Sequence, residues 1–216
     1  SPKTWNRLAT AYVNLQDEPG LTSLLATAPD MQAAIDARLA MASRAIALGN
    51  VALAKNWLQA LPPAIRNGHA QQQKLWELAQ ASGDAHLYLT TSNNLDRPCL
   101  EIAEWLSRND KALALQQFAK CDARADPAKW LILAQRLDAI DLLKTQPLPE
   151  QFQDDRQNVL VSMWRNRGQQ DTALAWLESQ PQTASTLNLR GEILQNQHND
   201  AAVEDVMTHL LSLAPD

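Results

Sequence analysis

The sequence predicts an all-α chain, an α-solenoid of about seven antiparallel helix hairpins spanning residues 1–216, and three observations carry that reading. Pro29, Pro62, Pro98, Pro127, Pro149, Pro181 and Pro215 recur at spacings from about 22 to about 36 residues, and proline inside a helix is so costly that they mark joints. Between the joints, a Gly or Asn stands five positions before an anchor: Gly49 before Ala54, Gly83 before Tyr88, Asn109 before Ala114, Gly168 before Ala173. Gly and Asn tolerate the left-handed conformation that ends a first helix and allows a second to start. Finally, apolar residues recur at helical spacing, as in Val159, Leu160, Met163 and Trp164, forming a stripe that no isolated hairpin can bury. Stacked hairpins can bury it.

Composition agrees. Only six Gly and two Phe accompany abundant Ala, Leu and Gln, and β-branched residues are sparse, which disfavours a large sheet. The seven tryptophans, Trp5, Trp57, Trp76, Trp105, Trp130, Trp164 and Trp176, are spread along the chain as wedges between helices would be.

Taken in order, the first hairpin runs from Lys3 to Ala28, turning near Asp17 to Gly20, and the second from Asp30 to Leu61, turning at Gly49-Asn50. The segment Pro62 to Gly68 is irregular and leads into a third hairpin, His69 to Thr91, turning at Gly83-Asp84. The fourth, Arg97 to Cys121, is the most complete unit and turns at Asn109-Asp110. The fifth, Asp126 to about Lys144, is short, with Leu137-Asp138 near its turn, and reads either as a hairpin or as one bent helix. The sixth covers Glu150 to Ser179 and the seventh Pro181 to Leu213, turning near Asn196 to Asn199. Ser1-Pro2-Lys3 opens the chain abruptly and Leu211 to Asp216 resembles a repeat boundary, so a fragment of a longer protein is expected.

The cysteines are placed symmetrically. Cys99 and Cys121 are equidistant in sequence from Asp110, so an antiparallel hairpin brings them level at its open end. A disulfide there would close a loop of about 20 residues and stabilise the unit by roughly 3 kcal/mol. It would imply an oxidising compartment such as the bacterial periplasm; two separate thiols in a reducing cytosol are the alternative.

Several classes of chemistry are disfavoured. The net charge of −5 and pI near 5.4, with no basic stripe, argue against nucleic acid as a partner. No run of apolar residues is long enough to span a membrane. His69, His86, His198 and His209 are scattered, and Asp205 with His209 lacks a third ligand at a reliable spacing, so no metal is expected. Asp154-Asp155 suit a helix N-terminus. There is no phosphate loop and no nucleophile with a recognisable partner, so neither an enzyme activity nor a cofactor is expected.

With these residues in place, the chain resembles the tetratricopeptide repeat family. Trp105, Asn109, Ala114 and Phe118 match its helix-pair pattern, as do Trp164, Gly168, Ala173 and Leu177, and more loosely Ala45, Gly49, Ala54 and Leu58. The resemblance extends over nearly the whole chain in degenerate form, with Ile102 and Val161 where a small residue such as Ala42 is usual. It implies a right-handed superhelix whose first helices line a groove for a protein or peptide. By register, the groove positions are Gln73, Glu77 and Gln80 in the third unit and Asn158, Ser162, Arg165 and Asn166 in the sixth. The bland alternative for each is a solvated helix face. In the second unit the equivalent positions include Leu39 and Ile46.

The style of the repeats is similar to the periplasmic region of bacterial outer-membrane proteins that serve exopolysaccharide export or bacteriophage adsorption. The resemblance implies a non-catalytic scaffold docking envelope proteins, with polysaccharide as a further partner. Two alternatives remain open: the helical superstructure of a larger peptidoglycan-cleaving enzyme, and a cytoplasmic adaptor.

Overall fold

The computed structural model describes residues 1–213; Pro215, expected as the last repeat boundary, lies outside them. Among the described residues every regular element is helical. The chain divides into two compact units, the first Ser1–Pro98 and the second beginning at Cys99.

In the first unit, α1 (Pro2–Leu15) starts on Pro2, whose missing N–H is no loss at a helix start, and on the Ser1 hydroxyl, which accepts from the Thr4 N–H at 3.4 Å. It ends at Gln16, which adopts a left-handed φ of 53°, and α2 (Glu18–Leu25) follows, capped by Asp17. The turn is therefore Gln16-Asp17, and Gly20, expected at the turn, lies inside α2. The reason is close approach: a Cβ on Gly20 would meet the Tyr12 ring at 2.5 Å.

The second hairpin, α3 (Met31–Ala47) and α4 (Val51–Gln59), turns through Gly49 at φ 72°. After the four-residue α5 (Pro63–Arg66), the third hairpin is α6 (His69–Ser82) and α7 (Ala85–Asn94), turning through Gly83 at φ 70°.

The second unit opens with α8 (Cys99–Asn109) and α9 (Lys111–Phe118). The fifth element resolves into a true hairpin, α10 (Pro127–Leu137) and α11 (Ile140–Thr145), because Asp138 takes φ 62° and breaks the helix. A single 3₁₀ turn, Glu150–Phe152, precedes α12 (Gln153–Asn166), which turns through Gly168 into α13 (Gln170–Glu178). Asp154 and Asp155 occupy the first turn of α12. The last pair is α14 (Ala184–Asn196) and α15 (Asp200–Ser212), turning through His198 at φ 56°.

One device recurs at the turns. Asp17, Asn50, Asp84, Asp110 and Asn199 each place a side-chain oxygen on a backbone N–H of the second helix, at 2.9 to 3.3 Å. Each such cap contributes about 1 kcal/mol and fixes where the second helix begins. Because the turns are short, the paired helices run antiparallel.

Small residues let the helices approach. Ala54, Ala114 and Ala173 are completely buried, and Tyr88 at the equivalent place is buried too. Within the first unit α1 packs on α3 and α4 on α6; within the second α8 packs on α10, α10 on α12 and α12 on α14. Trp5, Trp57, Trp130 and Trp164 are core residues, but Trp76, Trp105 and Trp176 keep part of their surface exposed, so tryptophan is not uniformly a buried wedge. Leu39 and Ile46 pack partly buried against the first unit's core.

Candidate functional site

Polar side chains that share a helix face converge where two first helices run side by side, between α1 and α3 in the first unit and between α12 and α14 in the second. In the first unit, Asn6, Thr10 and Asn14 recur every fourth residue on α1, on the flank of the buried Trp5, Ala9 and Val13. They face Gln32 and Asp36 of α3, with Asp30 at the entrance, across a cleft of about 660 Å³ floored by Ala33 and Ala37. Trp5 also lines this cleft, with its Nε1–H donated to the Leu24 carbonyl at 3.1 Å. Asp36 accepts from Gln32 Nε2 at 2.8 Å, and Asp30 accepts the Ala33 N–H at 2.7 Å.

In the second unit, Asn158, Ser162, Arg165 and Asn166 of α12 lie together in a smaller hollow of about 340 Å³, with Val161 at its base and Leu189 and Glu192 of α14 opposite. Arg165 Nη1 approaches Glu192 Oε2 to 3.5 Å, with both side chains well exposed. Such a pair contributes little to stability and is easily exchanged for another partner. The four residues that register assigns to the groove of the sixth unit are thus gathered at one place.

The corresponding residues of the third unit sit differently. Gln73 Nε2 donates to Glu77 Oε1 at 2.9 Å, and Arg97 Nη2 donates to Gln73 Oε1 at 3.1 Å. The Arg97 guanidinium lies 4.1 Å from the Trp76 ring centroid, and Trp76 Nε1–H donates to Ser92 Oγ at 3.0 Å. A cation on an aromatic face gains about 0.5–1 kcal/mol at a solvent-exposed site, so Gln73 and Arg97 are engaged with each other within this hairpin. Gln80 stands exposed beyond this cluster, near the end of α6.

Cys99 and Cys121 form a disulfide, with sulfurs 2.11 Å apart and Cα atoms 5.5 Å apart. Cys99 is the first residue of α8 and Cys121 lies just past α9, so the bond closes the open end of the fourth hairpin. The buried Gln117 side chain donates its Nε2–H to Cys99 Sγ at 3.3 Å.

Two carboxylates are held below their ordinary range by lysines. Lys55 donates to Asp84 at 2.8 Å, and this bond, aided by the Leu87 N–H, lowers the Asp84 pKa. Lys129, 2.9 Å from Glu104, does the same for Glu104. Both pairs tie one hairpin to the next, α4 to the cap of α7 and α8 to α10. Asp205 and His209 are exposed on α15, and among the described residues no group of three or more His, Cys, Asp or Glu side chains is placed to hold a metal ion. No helix among them is long and apolar enough to cross a membrane.

Sequence register missed the α1 and α3 cleft. The signal was present in the four-residue recurrence of Asn6, Thr10 and Asn14 opposite Trp5, Ala9 and Val13. No family model matches the chain, and no curated protein matches it significantly.

Proposed function

We propose that this chain is a non-catalytic interaction scaffold of the tetratricopeptide-like α-solenoid type, which holds an extended segment of a partner protein against its first helices. The observation that carries the reading is the hollow between α12 and α14, where Asn158, Ser162, Arg165 and Asn166 meet Glu192. Carboxamides offer both donors and an acceptor, so they suit the main chain of an extended peptide, while Arg165 and Glu192 offer charges that a partner's side chains can take over. The packing of one first helix on the next within each unit supports the solenoid reading.

The Cys99–Cys121 bond supports an oxidising compartment over the cytosol. We place the scaffold in the periplasm of a bacterial envelope, serving an outer-membrane assembly of the exopolysaccharide-export or phage-adsorption type. The test is selection of binders from a displayed random-peptide library, followed by calorimetric titration. Asn158→Ala and Arg165→Ala together are expected to weaken a selected peptide at least tenfold while thermal stability stays the same. Unchanged affinity would contradict the assignment of this hollow.

A further inference from the structure

One three-residue pattern occurs twice in the chain. Asn158, Ser162 and Asn166 stand four residues apart on α12, and Asn6, Thr10 and Asn14 stand four apart on α1; no other Asn in the sequence is followed at these offsets by Ser or Thr and then a second Asn. Each set lines the cleft between its own helix and the next first helix of its unit, α14 or α3. A merely solvated helix face has no reason to repeat one order of side chains in two separate units. Asn6, Asn14, Asn158 and Asn166 also keep their carboxamides off the other described residues, whereas Asn50, Asn94, Asn109 and Asn199 engage theirs within the chain.

Residues four apart rise about 6 Å along a helix, and their row is inclined about 26° to its axis. An extended polypeptide repeats every second residue, about 6.6 Å, and turns the N–H and C=O of alternate residues to one side. The two spacings nearly coincide. A carboxamide supplies both donors and an acceptor, and a hydroxyl acts as either, so each rung matches the N–H and C=O of one peptide residue. From Asn158 to Asn166 the rise is about 12 Å, enough for about five residues of extended chain.

Resting on the scaffold reading above, we propose that the hollow between α12 and α14 reads the main chain of an extended peptide at every second residue, with Asn158, Ser162 and Asn166 as successive rungs. The peptide then follows the Asn158 to Asn166 row, on a slant to α12, and does not run square across the first helices. Val161, Leu189, Arg165 and Glu192 are left for its side chains. Register is thus set by the main chain, and preference among sequences by the charges at the edge.

The test is an amide-to-ester scan of a peptide selected on the full chain from a displayed library, each ester replacing one N–H by oxygen while every side chain stays the same. Calorimetric titration is expected to show losses of about tenfold at alternate positions over about five residues, with little change between them. Asn158→Ala and Asn166→Ala, both at exposed positions where far-UV circular dichroism should be unchanged, each weaken the parent peptide about tenfold. Each costs markedly less on the ester that lacks its own partner N–H, because a shared contact is lost only once. Losses without a two-residue period, or asparagine and ester effects that simply add, overturn the ladder and leave the scaffold standing. A library that yields no binder sensitive to substitution in the hollow overturns both.

Discussion

The Phe118 and Trp130 rings stack with centroids 5.0 Å apart and planes 28° from parallel, and neither ring is reachable by solvent. Phe118 ends α9 and Trp130 lies in the first turn of α10, so this contact joins the fourth hairpin to the fifth. Stability of the second unit therefore depends on Trp130 far more than on Trp105, although Trp105 belongs to the clearest repeat signature. Trp130→Ala is expected to destabilise by about 3–5 kcal/mol through the cavity it leaves, and half-buried Trp105 by distinctly less. Urea denaturation of the two variants, followed by circular dichroism, checks the order.

The disulfide is local, linking residues 22 apart in sequence. Closing a loop of that size restricts the unfolded chain, and its reduction should lower stability by roughly 3 kcal/mol. Guanidinium unfolding with and without reductant measures the difference, and a Cys99→Ala, Cys121→Ala double variant should match the reduced protein. Protein isolated without reductant should yield no titratable thiol when denatured; two thiols would remove the argument for an oxidising compartment.

Acid should loosen the joints between hairpins. The folded-state pKa of Asp84 is lowered chiefly by its hydrogen bond from Lys55, and that of Glu104 by its bond from Lys129. A depressed carboxyl pKa stabilises the fold fully above the unfolded value, near 4, and the contribution disappears as pH falls through the folded value. The side chains are about a third exposed, so each pair contributes less than about 1 kcal/mol. Lys129→Met should flatten the loss of stability between about pH 6 and about pH 3. Equal losses in the variant and the parent protein would show that Glu104 takes no part.

The helices and most of their turns are legible in the residues because local chemistry decides them. Gly49, Gly83 and Gly168 take positive φ, and a neighbouring Asp or Asn often caps the next helix. Where a residue with a side chain takes the same conformation, as at Gln16, Asp138 and His198, the turn is much harder to see. Gly20 misleads for the opposite reason, since its glycine answers to the Tyr12 ring and not to a turn. The site divides similarly. The helical period alone brings Asn158, Ser162, Arg165 and Asn166 together on α12, whereas the engagement of Gln73 by Arg97 depends on how the chain leaves α7 and returns over Trp76. No spacing rule encodes that return.

In the proposed scaffold, first helices bind the partner and second helices support them. Hydrogen exchange read residue by residue, with and without a selected peptide, tests it most directly. Slowed exchange is expected along α12 and α14 around Ser162 and Glu192, or along α1 and α3 around Thr10 and Asp36, with α4, α9 and α13 unaffected. Slowing confined to the second helices, with both clefts unchanged, would contradict it.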